Sequence, residues 1–359
     1  MVDNGKTLSK ITIILTLLIV VAATLFFVEK AWAEKVYRWT FVAADPGTME
    51  WELVNEYAER LKKASGGRFD IKVQAFGSIV PATEELQGLN NGILEMISIP
   101  CAWAKGQVPT ASLFSGAVGG LSDQAMRAWY TAGGGKELMD EAYGKAYPNL
   151  RIIGPPGQIL GEIWGYSSEL IESPEDIKGL RMRCMGDAGE IFNNMGASVV
   201  FLPGGEIYEA LQRGIIDWAE WANMRAGWDF GFQEICKYMY VSTTRAPSNN
   251  QVFAVNKDAY DSLPDDLQEL LKHWVEAFKR ERYNRQIESE IATLPKIKEF
   301  GVQIIEVPET VVRVLLAEAE KFYQKQGEKD PFFKKVYNSQ KEFGTKYREM
   351  KKYVIDSES

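Results

Sequence analysis

Asp217 and Glu220 stand three residues apart in LQRGIIDWAEW (residues 211–221), with Trp218 and Trp221 interleaved. Two carboxylates at such spacing are equipment for acid/base hydrolysis, and oxygen donors of this kind also hold hard cations. Strand alternation separates the two. Ile215, Asp217 and Ala219 fall on one side, and Ile216, Trp218 and Glu220 on the other. A hydrolytic pair has to aim at one bond, so this geometry disfavours it. Asp217 reads as structural. Glu220 reads as the acid at the strand end, with Trp221 positioned to stack on or cover a ligand. A secreted hydrolase built on Asp217 and Glu220 stays as the alternative reading.

Arginines at 181 and 183 alternate with Leu180, Met182 and Cys184 in GLRMRCM. A strand puts both on one face. Arg183 is nearer the C-terminal end, and Gly186 follows it, leaving room for a ligand to approach. A guanidinium fork suits a carboxylate. Arg181 reads as a solvated strand residue. His273 is the one histidine, set in a helical stretch, which leaves little room for histidine-based catalysis. Cys101, Cys184 and Cys236 form no C-x-x-C pair and read as small buried residues. No zincin, nucleophile-elbow or phosphate-loop motif is present.

These side chains need a scaffold. VYRWTFVAA (36–44) reads as a first strand, Pro46 as the opening of a helix, and Trp51, Val54, Tyr57, Ala58 and Leu61 recur at helical spacing. SGG (65–67) ends that helix and RFDIKVQAF forms a second strand, a parallel α/β opening. ELQGLNNGILEM (85–96) is echoed by IYEALQRGIIDW (207–218) at an offset of 122, matching Leu89 with Leu211, Gly92 with Gly214 and Glu95 with Asp217. In each, glycine caps a helix before a buried strand. Two echoing units imply two α/β lobes with a ligand cleft beyond the strand ends. Trp103, in CAWAKG, is the ligand-facing candidate of the first lobe. Ser173, Pro174 and the acids at 175 and 176 mark a short capped helix in the second. Long helices are expected over 263–294, 307–326 and 331–354.

The 359 residues carry a formal net charge of −8, with both signs scattered. Nucleic acid is not an expected partner, because phosphate binding needs a basic stripe. Lys6 and Lys10 precede an apolar run from Ile11 to Val28 and then AWAE, the pattern of an export signal cleaved after Ala33. The run is long enough that an uncleaved anchor, and with it a membrane-tethered sensor, is a further alternative.

With these segments in view, the chain resembles the extracytoplasmic solute receptors of TRAP transporters, the DctP family. DIKGLRMR and GGEIYEALQRGIIDWAEW are the most specific pieces. The AEW ending, with GGGKELMDE and GFQEICKYMY, is most similar to the keto-acid and monocarboxylate subgroup. The resemblance implies an α/β, two-lobed, periplasmic-binding-protein-like fold with long C-terminal helices. Its expected parts are a signal over 1–33, lobe I over 34–155, lobe II over 156–246, a return to lobe I with a long helix over 247–300, and C-terminal helices over 301–359. It implies a periplasmic receptor, not an enzyme, that captures an organic acid such as a 2-oxo or 2-hydroxy monocarboxylate and delivers it to TRAP membrane subunits. A homodimer is compatible with it.

Arg183 matches the arginine that holds the ligand carboxylate. Gln158, Glu220 and Trp221 match a set that holds a bridging cation, and oxygen donors suit Ca2+ or Na+. The chain departs from the pattern in ANMRAGWD, which adds Arg225, and in STTRAPSNNQ, which carries Arg245 and Asn249. The stretch after Gln158 is also longer. Trp103, Arg225 and Asn249 complete the candidate ligand set, Arg225 implying a second carboxylate or a bulkier acid.

Overall fold

The computed structural model describes residues 35–353, so the expected export segment lies outside the described residues. In chain order the strands are β1 (Tyr37–Val42), β2 (Phe69–Gln74), β3 (Met96–Pro100), β4 (Leu150–Ile152), β5 (Gly157–Ile159), β6 (Gly165–Ser167), β7 (Arg181–Arg183), β8 (Ser198–Val200), β9 (Trp218–Ala219), β10 (Tyr238–Val241), β11 (Asn249–Asn256) and β12 (Gln303–Glu306). They form two sheets. One runs β2-β1-β3-β11-β4, with β5 also on β11, and the other runs β12-β10-β6-β9-β7-β8. In each, parallel pairs (β1 with β2 and β3; β7 with β8 and β9) adjoin a strand that pairs antiparallel, β11 on β3 and β6 on β9.

The first sheet is covered on both faces. Trp39, Phe41, Phe253 and Val255 pack into one apolar cluster, and Val42, Ile97, Val252 and Ala254 into another. That two-sided burial gives β-branched and aromatic runs instead of polar alternation. The first helix runs Met49–Ala64 and begins later than Pro46 suggested. Thr48 supplies the side-chain oxygen that accepts from Trp51 N, a cap that proline cannot provide. Ser173 and Asp176 close a capping box, as their spacing indicated.

The repeat read at an offset of 122 is physical. Gly92 and Gly214 take φ of 75° and 63°. Ile93 N donates to Gly88 O, and Ile215 N to Ala210 O, at 2.9 and 2.8 Å. The acids then do the same work in both lobes. Glu95 accepts from Thr40 N on β1 (2.7 Å), and Asp217 from Arg181 N on β7 (3.1 Å). Each clamps a helix-to-strand turn to the neighbouring parallel strand.

Because β5 belongs to the first sheet, the chain crosses to the second lobe over 160–164, and it returns over 242–248. Asp265–Phe300 is one helix, about 54 Å long at 1.5 Å per residue, and continues through Pro295. Near its start Trp274 Nε1 donates to Tyr57 O of lobe I. Further along, Glu290 accepts from Met224 N and Arg225 N of lobe II. The helix therefore ties both lobes together. The segment after it does more than pack, since β12 extends the lobe II sheet beside β10. His273 lies exposed on the long helix and the three cysteines are buried and unpaired. No described helix is long and apolar enough to cross a membrane.

Candidate functional site

A cleft of about 890 Å³ opens between the lobes. Phe76 and Trp103 line it from lobe I, Arg183, Glu220 and Trp221 from lobe II, and Glu162, Arg245 and Asn249 from the crossing segments and the start of β11. The parallel pairing of β7 with β9 sets Arg183 opposite Ala219, and Glu220 N donates to Arg183 O at 3.2 Å. Neighbouring strand ends thus deliver Arg183 and Glu220 to the same point.

Both side chains are buried, at 3% and 2% exposure. Arg183 Nε donates to Leu202 O (3.0 Å), and Nη1 donates to Glu220 Oε1 (3.0 Å) and Glu220 O (3.1 Å). Nη2 has no hydrogen-bond partner among the described residues. The guanidinium lies 5.4 Å from the Phe201 ring and 5.2 Å from the Trp221 ring, within cation–π range. It is thus a fixed cation with one donor pair left over, walled by aromatic surface in a concave site. Trp221 in turn packs against Phe230 and against Gly204, where a Cβ would come within 2.4 Å of the indole. A side chain at 204 would push that ring out of place. The chain then reverses at Ala222, whose φ of 41° is uncommon for a residue with a Cβ. Ala222 O accepts from Ile163 N, fastening this turn to the first crossing segment.

Glu220 has a second cation. Arg245, itself 3% exposed, donates from Nη1 to Glu220 Oε2, from Nη2 to Glu162 Oε2, and from Nε to Trp164 O. Glu162 Oε1 accepts from Asn249 Nδ2 at 2.6 Å. A row of alternating charge, Arg183–Glu220–Arg245–Glu162, therefore runs from lobe II into the two crossings. Burial outweighs the attraction of Arg245 and pushes the Glu162 carboxyl up to about 7. Burial also raises Asp123, to about 6, against the hydrogen bond it accepts from Gly161 N.

Asp217 is elsewhere in function. Its carboxylate takes Arg181 Nε (2.8 Å) and Nη2, and the Arg181 side chain holds it below the usual carboxylate range. The two acids of the LQRGIIDWAEW segment face different partners, as alternation indicated. The alternation of burial itself is lost. Trp218, Ala219 and Glu220 are all buried, because β9 is flanked by β6 and β7 and covered on both sides. Asp217→Asn is expected to leave ligand affinity unchanged and to lower the melting temperature slightly, its partner being half exposed and screened by solvent. Because its folded pKa is depressed, its contribution to stability is present at neutral pH and fades as pH falls through the acid range. Thermal melts of both proteins at pH 7 and pH 3 check this.

Of the other candidates, Trp103 lines the cleft with its ring 5.2 Å from that of Phe76. It sits in a helical turn after β3, not on the strand itself. Asn249 lines the cleft and holds Glu162. Arg225 lines it too, but its Nε donates to both oxygens of Asp229 at 2.8 Å, so its charge is already offset. Gln158 pairs through its backbone with Asn250 in the lobe I sheet, and its side chain lies outside the described residues. Glu162, which sequence reasoning passed over, lies four residues on and does line the cleft. Its signal was a carboxylate set between aliphatic and aromatic residues in ILGEIWGY. Arg245 was visible only as a departure from pattern, and its pairing depends on two crossings meeting in space.

A buried cation with an unspent donor thus stands at the mouth of paired parallel strands between two lobes. The chain belongs to the DctP family, the bacterial extracellular solute-binding proteins of family 7, whose model matches residues 42–330. This family comprises solute receptors, not enzymes. A monocarboxylate 2-oxoacid-binding periplasmic protein of Nostoc is 28% identical over 287 residues, 80% of this chain and 78% of the relative. A TRAP periplasmic solute-binding protein from Colwellia psychrerythraea, solved with calcium and pyruvate bound, is 27% identical with a TM-score of 0.83, covering 89% of this chain and 98% of that one. One from Pseudoalteromonas atlantica, with sodium and pyruvate bound, is also 27% identical with a TM-score of 0.83, covering 89% and 97%.

Both of these solved relatives were obtained with a cation and pyruvate bound, so the oxygen donors of the cleft bear on the same chemistry. Glu162, Glu220 and nearby carbonyls are hard oxygen donors of the right type. Every oxygen of the two carboxylates already accepts a hydrogen bond, Glu220 Oε1 taking Met185 N as well as Arg183 Nη1. The Arg245 guanidinium lies between them.

Proposed function

We propose that this chain is a periplasmic receptor that closes on an organic monocarboxylate, of the 2-oxo acid class, and passes it to the membrane subunits of a TRAP transporter. The single observation that carries the reading is Arg183, buried, anchored through Nε and Nη1, and left with Nη2 unpaired in the cleft. One carboxylate completes it. Phe201, Trp221 and Trp103 supply apolar walls for a short carbon chain. The name of the Nostoc relative and the pyruvate in the two solved relatives support the same ligand class. Arg225, already paired with Asp229, is not assigned to a second ligand carboxylate. In this reading the cleft binds the ligand and releases it unchanged, as expected of a family of solute receptors.

A thermal-shift screen of organic acids, each with calcium, sodium or chelator, tests this. A true ligand at 100 times its dissociation constant adds about 2.7 kcal/mol of stability. If no monocarboxylate shifts the transition, the reading fails.

Glu162 adds a pH signature. Protonated, it removes one negative charge from the cluster, so an anionic ligand favours that form. Pyruvate affinity is expected to fall severalfold as pH rises through about 7, the range to which burial pushes this carboxyl. Glu162→Gln should flatten the profile. Calorimetric titrations from pH 6 to 8 measure both, and an unchanged profile in the variant refutes the assignment.

A further inference from the structure

We infer that Gln251 and Gln286 read the ligand's second oxygen: their amide N–H groups take the 2-oxo oxygen of an acid whose carboxylate is held by Arg183. The inference rests on the function proposed above, which gives the carboxylate a partner and the oxo oxygen none.

The two amides are oriented by what they accept. Arg282 Nη1, from the long helix, donates to Gln251 Oε1, and Ser98 Oγ on β3 donates to the same oxygen at 3.1 Å. Leu160 N donates to Gln286 Oε1 at 3.1 Å. A guanidinium and a backbone N–H can only donate, so the atom each meets is the amide oxygen, and the nitrogen is turned the other way. Neither Nε2 has a partner among the described residues, and neither is sealed in the interior. Both side chains line the cleft. Each therefore offers it an N–H donor. Arg282 and Gln286 stand four residues apart on one face of the helix, so the second amide lies about one turn from the contact that fixes the first.

The chemistry of these donors selects the oxygen. They are neutral amides, which suit a carbonyl oxygen. The nearby cation, Arg282, is fully buried, does not line the cleft, and engages Glu50 Oε1 at 3.0 Å. A second carboxylate would find no free positive charge there. The arrangement also gives closure a cause. A ligand shifts an open–closed equilibrium only as far as it binds one state better. A carboxylate on Arg183 makes its charged contact with lobe II. An oxo oxygen on Gln251 adds a contact with β11 of lobe I, so one small molecule holds both lobes.

The test compares pyruvate with propionate, titrated calorimetrically in one buffer into wild type, Gln251→Glu and Gln286→Met. The two acids carry one carboxylate each and differ at the oxo oxygen. Their affinity ratio therefore cancels effects of overall charge and of lost stability. Wild type is expected to favour pyruvate about tenfold or more, because propionate leaves the amide donors unpaired. Gln251→Glu keeps an acceptor for Arg282 and Ser98 and puts an oxygen where the donor was. Its ratio is expected to fall to about one or below. Gln286→Met keeps the length without the amide and is expected to lose about threefold of the ratio. Melting curves check that each variant is folded.

Equal affinity of the wild type for the two acids overturns the inference and leaves the receptor reading standing. A Gln251→Glu protein with the wild-type ratio also overturns it, since a merely structural role would lower both affinities together. Should that variant not fold, the ratios of wild type and Gln286→Met decide. Binding of neither acid by the wild type overturns the function proposed above, and this inference with it.

Discussion

Arg183→Ala is expected to weaken binding of a monocarboxylate at least tenfold, and nearer a hundredfold, while the protein stays folded. Hydrogen bonds to charged groups contribute about 1.5–3 kcal/mol each, and a ligand carboxylate on Nη2 is charged on both sides. The loss acts through charge and geometry together. Arg183→Lys keeps the charge but loses the planar fork and the contact with the Phe201 and Trp221 rings, so it should recover little. Calorimetry of wild type and both variants, with melting curves as the control for folding, measures this. Equal affinity in wild type and Arg183→Ala would remove Arg183 from the site.

The second large effect is on stability. Glu220 is 2% exposed and receives hydrogen bonds from Arg183, Arg245 and Met185 N. Glu220→Gln keeps the shape and removes the charge, leaving two buried guanidinium groups facing a neutral amide. Breaking a buried pair in this way costs about 3–5 kcal/mol. Denaturant unfolding should show that loss. Glu162 is the other carboxylate of the row among the described residues, and burial already raises its pKa, so it compensates weakly. A change below about 1 kcal/mol, the range of an exposed pair, would mean that the row is solvated and not the buried cluster described here.

What the sequence disclosed follows from which interactions are local. The caps at Gly92, Gly214 and Ser173 are set within a few residues, so turn chemistry alone places them. The repeat was legible for the same reason, and the structure shows that its acids, Glu95 and Asp217, clamp equivalent strands. The position of Arg183 at a strand end in the cleft was legible through period-two spacing and through the family motif around it. The extra edge strand β12 was missed because four residues between two long helices carry almost no periodic signal. The placement of the first crossing was missed because β5 is three residues long and its strand partner is β11, almost a hundred residues away in sequence. Glu162 and Arg245 escaped for a related reason. Each looks like an ordinary charged loop residue until the two crossings are brought together, and only then do they form one ion pair.

The partition of LQRGIIDWAEW also bears on function. Asp217 faces Arg181 at the edge of lobe II, and Glu220 faces Arg183 and Arg245 in the cleft. The two carboxylates have different partners and different burial, which removes the geometric basis for a hydrolase using both.

The central claim, capture of a monocarboxylate without chemistry on it, is tested most directly by titrating pyruvate calorimetrically into the purified chain and recovering the ligand afterwards. Saturable binding at one ligand per chain is expected, lost in Arg183→Ala, with pyruvate recovered unchanged. Consumption of the ligand would contradict it, and so would saturable binding that Arg183→Ala leaves intact.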